Sequence, residues 1–189
     1  MRKSSAILLA VVALLAGIFL GWQGTMLIRD TTSTGKAAAQ SAAATDNSAA
    51  LMAQAKTLEQ KTSQNPTDAA LWARLGNTYF DAGFAERAVA AYKKSLALDP
   101  NQPDVLTDMG VMLREDHKFQ EALEAFQQAA KQDPKHEQSR LNMGVVLLHD
   151  LNDKAGALKA WQELLTINPQ ATTPDGKSLA DQVKLLQAK

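Results

Sequence analysis

The chain has 189 residues, 46% hydrophobic and 21% charged, with 20 Lys and Arg against 20 Asp and Glu. That length holds one domain, or one domain plus an appendage, and formal neutrality excludes a nucleic-acid binder driven by phosphate neutralisation. With no cysteine there is no disulfide, thiolate metal site, cysteine nucleophile or C-x-x-C-H haem attachment.

Arg2 and Lys3 precede Ser4 to Ile28, a stretch without a charge. As a helix it would measure about 37 Å, against a hydrocarbon core of about 30 Å. Ile7, Leu8, Leu9, Val11, Val12, Leu14, Leu15, Ile18, Phe19 and Leu20 make it apolar all round, and Trp22 stands where an indole suits the interface. A cleavable signal peptide would look similar, but it needs small residues one and three places before the cut. Gly24 has Trp22 at that place and Gly21 has Phe19, so an uncleaved anchor over 6–28 is expected. The positive start puts residues 1–5 in the cytoplasm. The remainder then lies outside it, which in a bacterium is the periplasm, on a single pass through the inner membrane.

Residues 29–49 are dominated by Ala, Ser and Thr, with nothing large and apolar. Such a stretch buries too little surface to offset ordering and reads as a flexible tether of roughly 25 Å root-mean-square reach. The alternative is an alanine-driven helix across Lys36 to Ala44, which would lengthen the stalk without changing its role. Residues 50–65 offer Leu51, Ala55 and Leu58 before Asn65-Pro66, the pattern of a leading helix.

From there the chain repeats. Proline recurs at 66, 100, 134 and 169, and glycine at 76, 110 and 144. A period of 34 predicts a stacked array over 66–170, with units at 69–102, 103–136 and 137–171. Each unit carries two apolar stripes at helical spacing, separated by a polar turn. The stripes are Leu71, Trp72, Leu75, Tyr79 then Ala88, Tyr92, Leu96; Leu106, Met109, Leu113 then Ala122, Phe126, Ala129; Leu141, Met143, Leu147 then Ala157, Trp161, Leu164. Gly76, Gly110 and Gly144 on the first helices are expected to face Ala88, Ala122 and Ala157 on the second, small against small. A last helix over 173–189, opened by Thr173-Pro174 and carrying Leu179, Val183 and Leu186 on one face, caps the array.

The pattern W-x-x-L-G-x-x-Y, then A-x-x-x-F, then P resembles the tetratricopeptide repeat. Trp72, Leu75, Gly76, Tyr79, Ala88, Tyr92 and Pro100 carry it in the first unit. Leu106, Met109, Gly110, Leu113, Ala122, Phe126, Ala129 and Pro134 carry it in the second, and Met143, Gly144, Leu147, Ala157, Trp161 and Pro169 in the third. Two departures mark the third unit: Arg140 takes the large apolar first position, and the turn from His149 to Lys154 has one extra residue. The resemblance implies an all-α solenoid of helical hairpins, three repeats plus flanking helices, behind the N-terminal transmembrane helix.

No catalytic or metal chemistry is legible. His117, His136 and His149 lack ligand spacing and read as surface or turn histidines. Gly176-Lys177-Ser178 imitates the end of a phosphate loop, but Ala171 stands where its first glycine belongs. The expectation is a protein that is not an enzyme, with no cofactor, metal, nucleic acid or small-molecule substrate. The resemblance instead implies a concave face lined by first helices. Carried over position by position, that face is Ala73, Asn77, Phe80 and Asp81; Thr107, Asp108, Val111 and Arg114; Leu141, Asn142, Val145 and Leu148. Family members that read chaperone tails clamp a terminal carboxylate with lysine and asparagine. Here Ala73 replaces the lysine and only Asn77 fits, so the expected partner is a protein or peptide client, a helical or extended segment and best an amphipathic helix. The alternative is that Val111, Val145 and Leu148 simply pack between neighbouring helices. The lead-in Leu58-Glu59-Gln60-Lys61 to Asn65-Pro66, Trp161-Gln162-Glu163-Leu164-Leu165 and Lys184-Leu185-Leu186-Gln187 are also similar to the single-anchor repeat proteins of bacterial c-type cytochrome assembly. That resemblance implies apocytochrome presentation to the haem-attachment machinery. The rival reading is a structural scaffold whose repeats stack end to end between chains.

Overall fold

The computed structural model describes the backbone of residues 31–188 and side chains from residue 48 onward. The expected cytoplasmic start and membrane anchor, 1–5 and 6–28, lie outside the described residues. No helix among those described is long and apolar enough to cross a membrane.

The described chain forms eight α-helices: α1 (Thr31–Gln64), α2 (Ala69–Asp81), α3 (Ala85–Leu98), α4 (Pro103–Glu115), α5 (Phe119–Gln132), α6 (Glu137–His149), α7 (Lys154–Ile167) and α8 (Leu179–Gln187). One expectation fails at the start. The tether expected over 29–49 is helical from Thr31 and runs without a break into the leading helix. Alanine loses no side-chain freedom in a helix, so its high propensity outweighs the polar composition that reads as coil. The packed part of α1 uses Ala55, Leu58 and the nearly inaccessible Thr62, with Met52 against the same core. Met52, not the expected Leu51, completes the stripe. The Thr62 hydroxyl donates to the Glu59 carbonyl, which lets it be buried.

Each repeat is a helical hairpin, α2–α3, α4–α5 and α6–α7, and each second helix packs on the first helix of the next unit. The first helices also touch in series, α2 with α4 and α4 with α6. The hairpins start cleanly for local reasons. Asp68, His136 and Asp153 accept from the exposed amides of Leu71, Ser139 and Gly156, and Pro103 opens α4. Between units one motif recurs. Asp99, Asp133 and Asn168 each stop a second helix just before a proline, and each accepts through Oδ1 from the amide two residues on (3.1, 2.8 and 3.0 Å).

Across each hairpin the first-helix glycine has an aromatic ring as its nearest neighbour, a partner that the small-against-small expectation did not name. A Cβ at Gly76 would strike the Tyr92 ring, one at Gly110 the Phe126 ring at 2.5 Å, and one at Gly144 the Trp161 indole. The missing side chain makes room for an aromatic ring lying flat on the first helix. Ala88, Ala122 and Ala157 are fully buried in the core near those rings.

The third unit absorbs both of its departures. Arg140 keeps only 11% of its side chain exposed and donates from Nη1 to the His136 carbonyl (3.2 Å). Its methylene stem takes the place of the apolar residue. The extra residue lengthens the turn to Asp150–Asp153, with Asn152 at φ 56, where the shorter turns place Gly83 (φ 75) and His117 (φ 58).

The last helix starts later than expected, at Leu179, with Ser178 as its cap. Thr173 to Lys177 instead form a tight turn closed by Thr173 N–H to Lys177 carbonyl (2.9 Å), flanked by a bridge between Thr172 and Ser178. Pro174 therefore sits in that turn, which Gly176 (φ 77) permits. Leu179 and Val183 then cover Trp161, Leu164 and Ala171.

Candidate partner-binding face

The twelve residues expected to line the face stand on α2, α4 and α6, the three helices that touch in series. They are not equally available. Thr107 is 2% exposed and donates its hydroxyl to the Pro103 carbonyl (2.9 Å), so it belongs to the interior. Arg114 is committed as well: its Nε and Nη2 reach the two oxygens of Asp150 at 2.5 and 3.3 Å. This forked pair ties the end of α4 to the turn after α6. Asn142 is partly buried, and its Nδ2 is buried without a hydrogen-bond partner among the described residues.

The rest divide into a polar half and an apolar half. On α2 and α4, Asn77 and Asp81 are exposed and Asp108 is partly so. Tyr92 donates its hydroxyl to Asn77 Oδ1 (2.9 Å), fixing the one residue that matched a carboxylate clamp. Burial pushes the Asp108 carboxyl above the usual carboxylate range, and the charges of Asp104 and Asp81 push it further, while His136 acts in the opposite sense. The Tyr92 phenol is raised for the same reasons, burial first, then Asp108 and Asp81.

His136 turns out to be more than a turn residue. Its Nδ1 accepts from the Ser139 amide (3.2 Å) while Nε2 meets Asp104 Oδ1 at 2.9 Å, with 12% of the side chain exposed. It therefore caps α6 and holds α6 to α4. His117 and His149 are exposed. Among the described residues no three His, Asp or Glu side chains converge as a metal cluster.

On the other half, Ala73, Phe80 and Val111 are partly buried against the main core, Leu141 and Val145 against the cap cluster, and Leu148 against both. The sequence reading missed what α8 adds. Its docking encloses a cleft of about 480 Å³ beside Val145 and Leu148, walled further by Trp161, Pro174 and Leu186 and rimmed by His149, Asp175, Lys177 and Gln182. The turn holds its own charges: Lys177 Nζ lies 2.6 Å from Asp175, which Lys177 and Thr173 together hold down at a pKa of about 2. Pro174 lies between Thr173 and Asp175 in a polar stretch, so the sequence carries no local signal for this cleft.

With this geometry in place, comparison decides the family. Models described as "TPR repeat" and "Tetratricopeptide repeat" match residues 76–116 and 107–172, together over half of the chain. The chain belongs to the tetratricopeptide repeat family. Its fold is shared with the crystal structure of the MamA protein (TM-score 0.63, 19% identity, covering 74% of this chain and 80% of that one). It is shared too with the Arabidopsis OM64 tetratricopeptide domain (TM-score 0.56, 19% identity, 64% and 94% covered). A third similar structure is the first such domain of Spaghetti (RPAP3) bound to the HSP90 peptide SRMEEVD (TM-score 0.56, 19% identity, 64% and 90% covered). Identities this low carry the fold and nothing finer. At that level this tetratricopeptide chain is a helical-hairpin array.

Proposed function

We propose that this protein is a membrane-anchored interaction scaffold whose first-helix face binds segments of client polypeptides outside the cytoplasm. The observation that carries the reading is the face itself: a strip across α2, α4 and α6 that passes from polar side chains to an apolar cleft. Partly exposed valine and leucine beside a cleft suit a segment that brings its own apolar side chains. A peptide lies on the related RPAP3 domain, which supports a polypeptide partner of some kind. The acidic SRMEEVD sequence does not suit this face, where Ala73 stands in place of a clamp lysine and Asn77 is held by Tyr92. Arg2 and Lys3 before a charge-free stretch support anchoring, with the repeats in the periplasm. The short similarities at Leu58–Lys61, Trp161–Leu165 and Lys184–Gln187 favour apocytochrome c segments as clients. The role is binding without chemistry.

The test is photo-crosslinking in intact membranes from a reporter placed at Val145, with an outer-face reporter at Lys94 as control. Adducts to other polypeptides from Val145 alone support the reading. Adducts only between copies of this chain, or an equal pattern from both positions, overturn it. Protease treatment of spheroplasts tests the topology: digestion of the repeats is expected, and their protection contradicts it.

A further inference from the structure

We infer that the cleft beneath α8 seats one large apolar side chain of a client segment whose basic residues lie over the acidic half of the same face. The inference rests on the proposed reading and names the chemistry of the partner.

The cleft has the volume of a small ligand pocket, about 480 Å³, and its walls are the side chains of Val145, Leu148, Trp161, Pro174 and Leu186. It adjoins the face through Val145 and Leu148, walls of the cleft that stand on α6, and Val145 is the counterpart, one repeat on, of Val111. An occupant entering here must continue along the first helices. Its charge is set by what it meets next. Asp104 is 90% exposed, Asp81 is exposed, Asp108 is partly buried, and the charges of the first two act on the third, so three carboxylates share the approach. The cations that could offset them are mostly engaged. Arg114 is forked onto Asp150, and His136 uses Nδ1 as an acceptor for the α6 cap, leaving Nε2 for Asp104. Arg74 is exposed on α2, two helical turns before Asp81, at the edge of the strip farthest from the cleft. A lysine or arginine of the partner would relieve the mutual repulsion of the carboxylates, most strongly at the partly buried Asp108, where charge pairs gain strength. First helices lie about 10 Å apart, so a helical segment of about 14 residues, ~21 Å long, reaches from Asp108 to the cleft.

Asp108 supplies a test that structural damage cannot imitate. Its charge is poorly placed for folding, so Asp108→Asn should melt at a higher temperature and yet bind the client more weakly. The experiment uses the full-length chain in mild detergent and three fluorescein-labelled helical peptides on an alanine–glutamine background, read by anisotropy. One carries two lysines in its first two turns and a tryptophan in its last. The second replaces the lysines with glutamates, and the third replaces the tryptophan with alanine. The lysine–tryptophan peptide is expected to bind at least tenfold more tightly than either of the others, with the charge preference shrinking as salt rises. Asp108→Asn and Asp81→Asn should each weaken it several-fold, and Asp108→Lys should reverse the preference toward the glutamate peptide. Equal binding of the lysine and glutamate peptides, or no loss on removing the tryptophan, overturns the inference and leaves the scaffold reading standing. No binding of any peptide by the folded protein overturns both.

Discussion

At Gly76, Gly110 and Gly144 a single hydrogen decides whether an aromatic ring can lie against a helix. Tyr92, Phe126 and Trp161 occupy the space a Cβ would claim. Gly110→Ala gains up to ~1 kcal/mol of helix propensity but forces the Phe126 ring off its seat. A net loss of about 1–3 kcal/mol is expected, measured by urea denaturation. Adding Phe126→Leu to that variant should recover part of it, since the two sites share one contact. Gly83 contrasts with these. It has open space around its Cα but a φ of 75, so Gly83→Ala tests backbone strain alone and should cost about 1 kcal/mol. Asp108 gives the residue-scale pH dependence. Its folded pKa lies above the usual carboxylate range, so the folded state holds the proton more firmly than the unfolded chain. Its contribution to stability therefore falls as pH rises from the unfolded pKa through the folded one. At neutral pH the ionised carboxylate costs stability in full. Asp108→Asn should raise the melting temperature at pH 7, and that gain should disappear near pH 3; a gain unchanged with pH would contradict the sign.

Among the elements, the hairpins and their turns followed directly from spacing, because 34-residue periodicity of proline, glycine and apolar stripes leaves little freedom in where helices begin and end. The joints between units depended on side-chain partners that no spacing announces. Arg114 read as a free groove residue, yet Asp150, from the longer third turn, claims it at 2.5 Å. The pair is only partly shielded, with 37% and 14% of the two side chains exposed, so solvent screening limits its worth. Arg114→Ala is expected to cost about 1 kcal/mol, as is Asp150→Asn, and the double variant little more than either single one. Additive losses in thermal melts would show the pair to be uncoupled. His136 follows the same lesson. An isolated histidine in a polar turn looks like surface, but the same turn brings it over Asp104 and under Ser139.

For the molecule as a whole, α8 does two jobs from nine residues. Leu179 and Val183 seal the end of the array, and Leu186 closes the wall of the cleft. A chain ending at Gln170 would bare Trp161 and Leu164, which are 4% and 1% exposed with α8 in place. Repeat proteins stand on contacts with nearest neighbours, so the loss should be local. Hydrogen exchange is expected to speed up across α6 and α7 while α2 and α3 keep their protection. Uniform acceleration would instead mean that the array unfolds as one unit.

The repeat period, the number of hairpins and the identity of the stripe residues were determined by the sequence alone. Each rests on local rules: the apolar stripe of an amphipathic helix, the proline that cannot continue one, and the glycine tolerated only for a packing reason. The same local rules show where Thr107 lies in its helix but not that its hydroxyl would turn to Pro103 and leave the surface. Only the tertiary structure decided which residues of the face remain available, that an aromatic ring lies against each of these glycines, and that the cleft under α8 exists. Those outcomes depend on pairs far apart in the chain, Arg114 with Asp150, Gly144 with Trp161, Val145 with Leu186. Whether two such side chains meet is set by how helices pack and by the exact length of one turn, quantities that a periodic pattern does not encode.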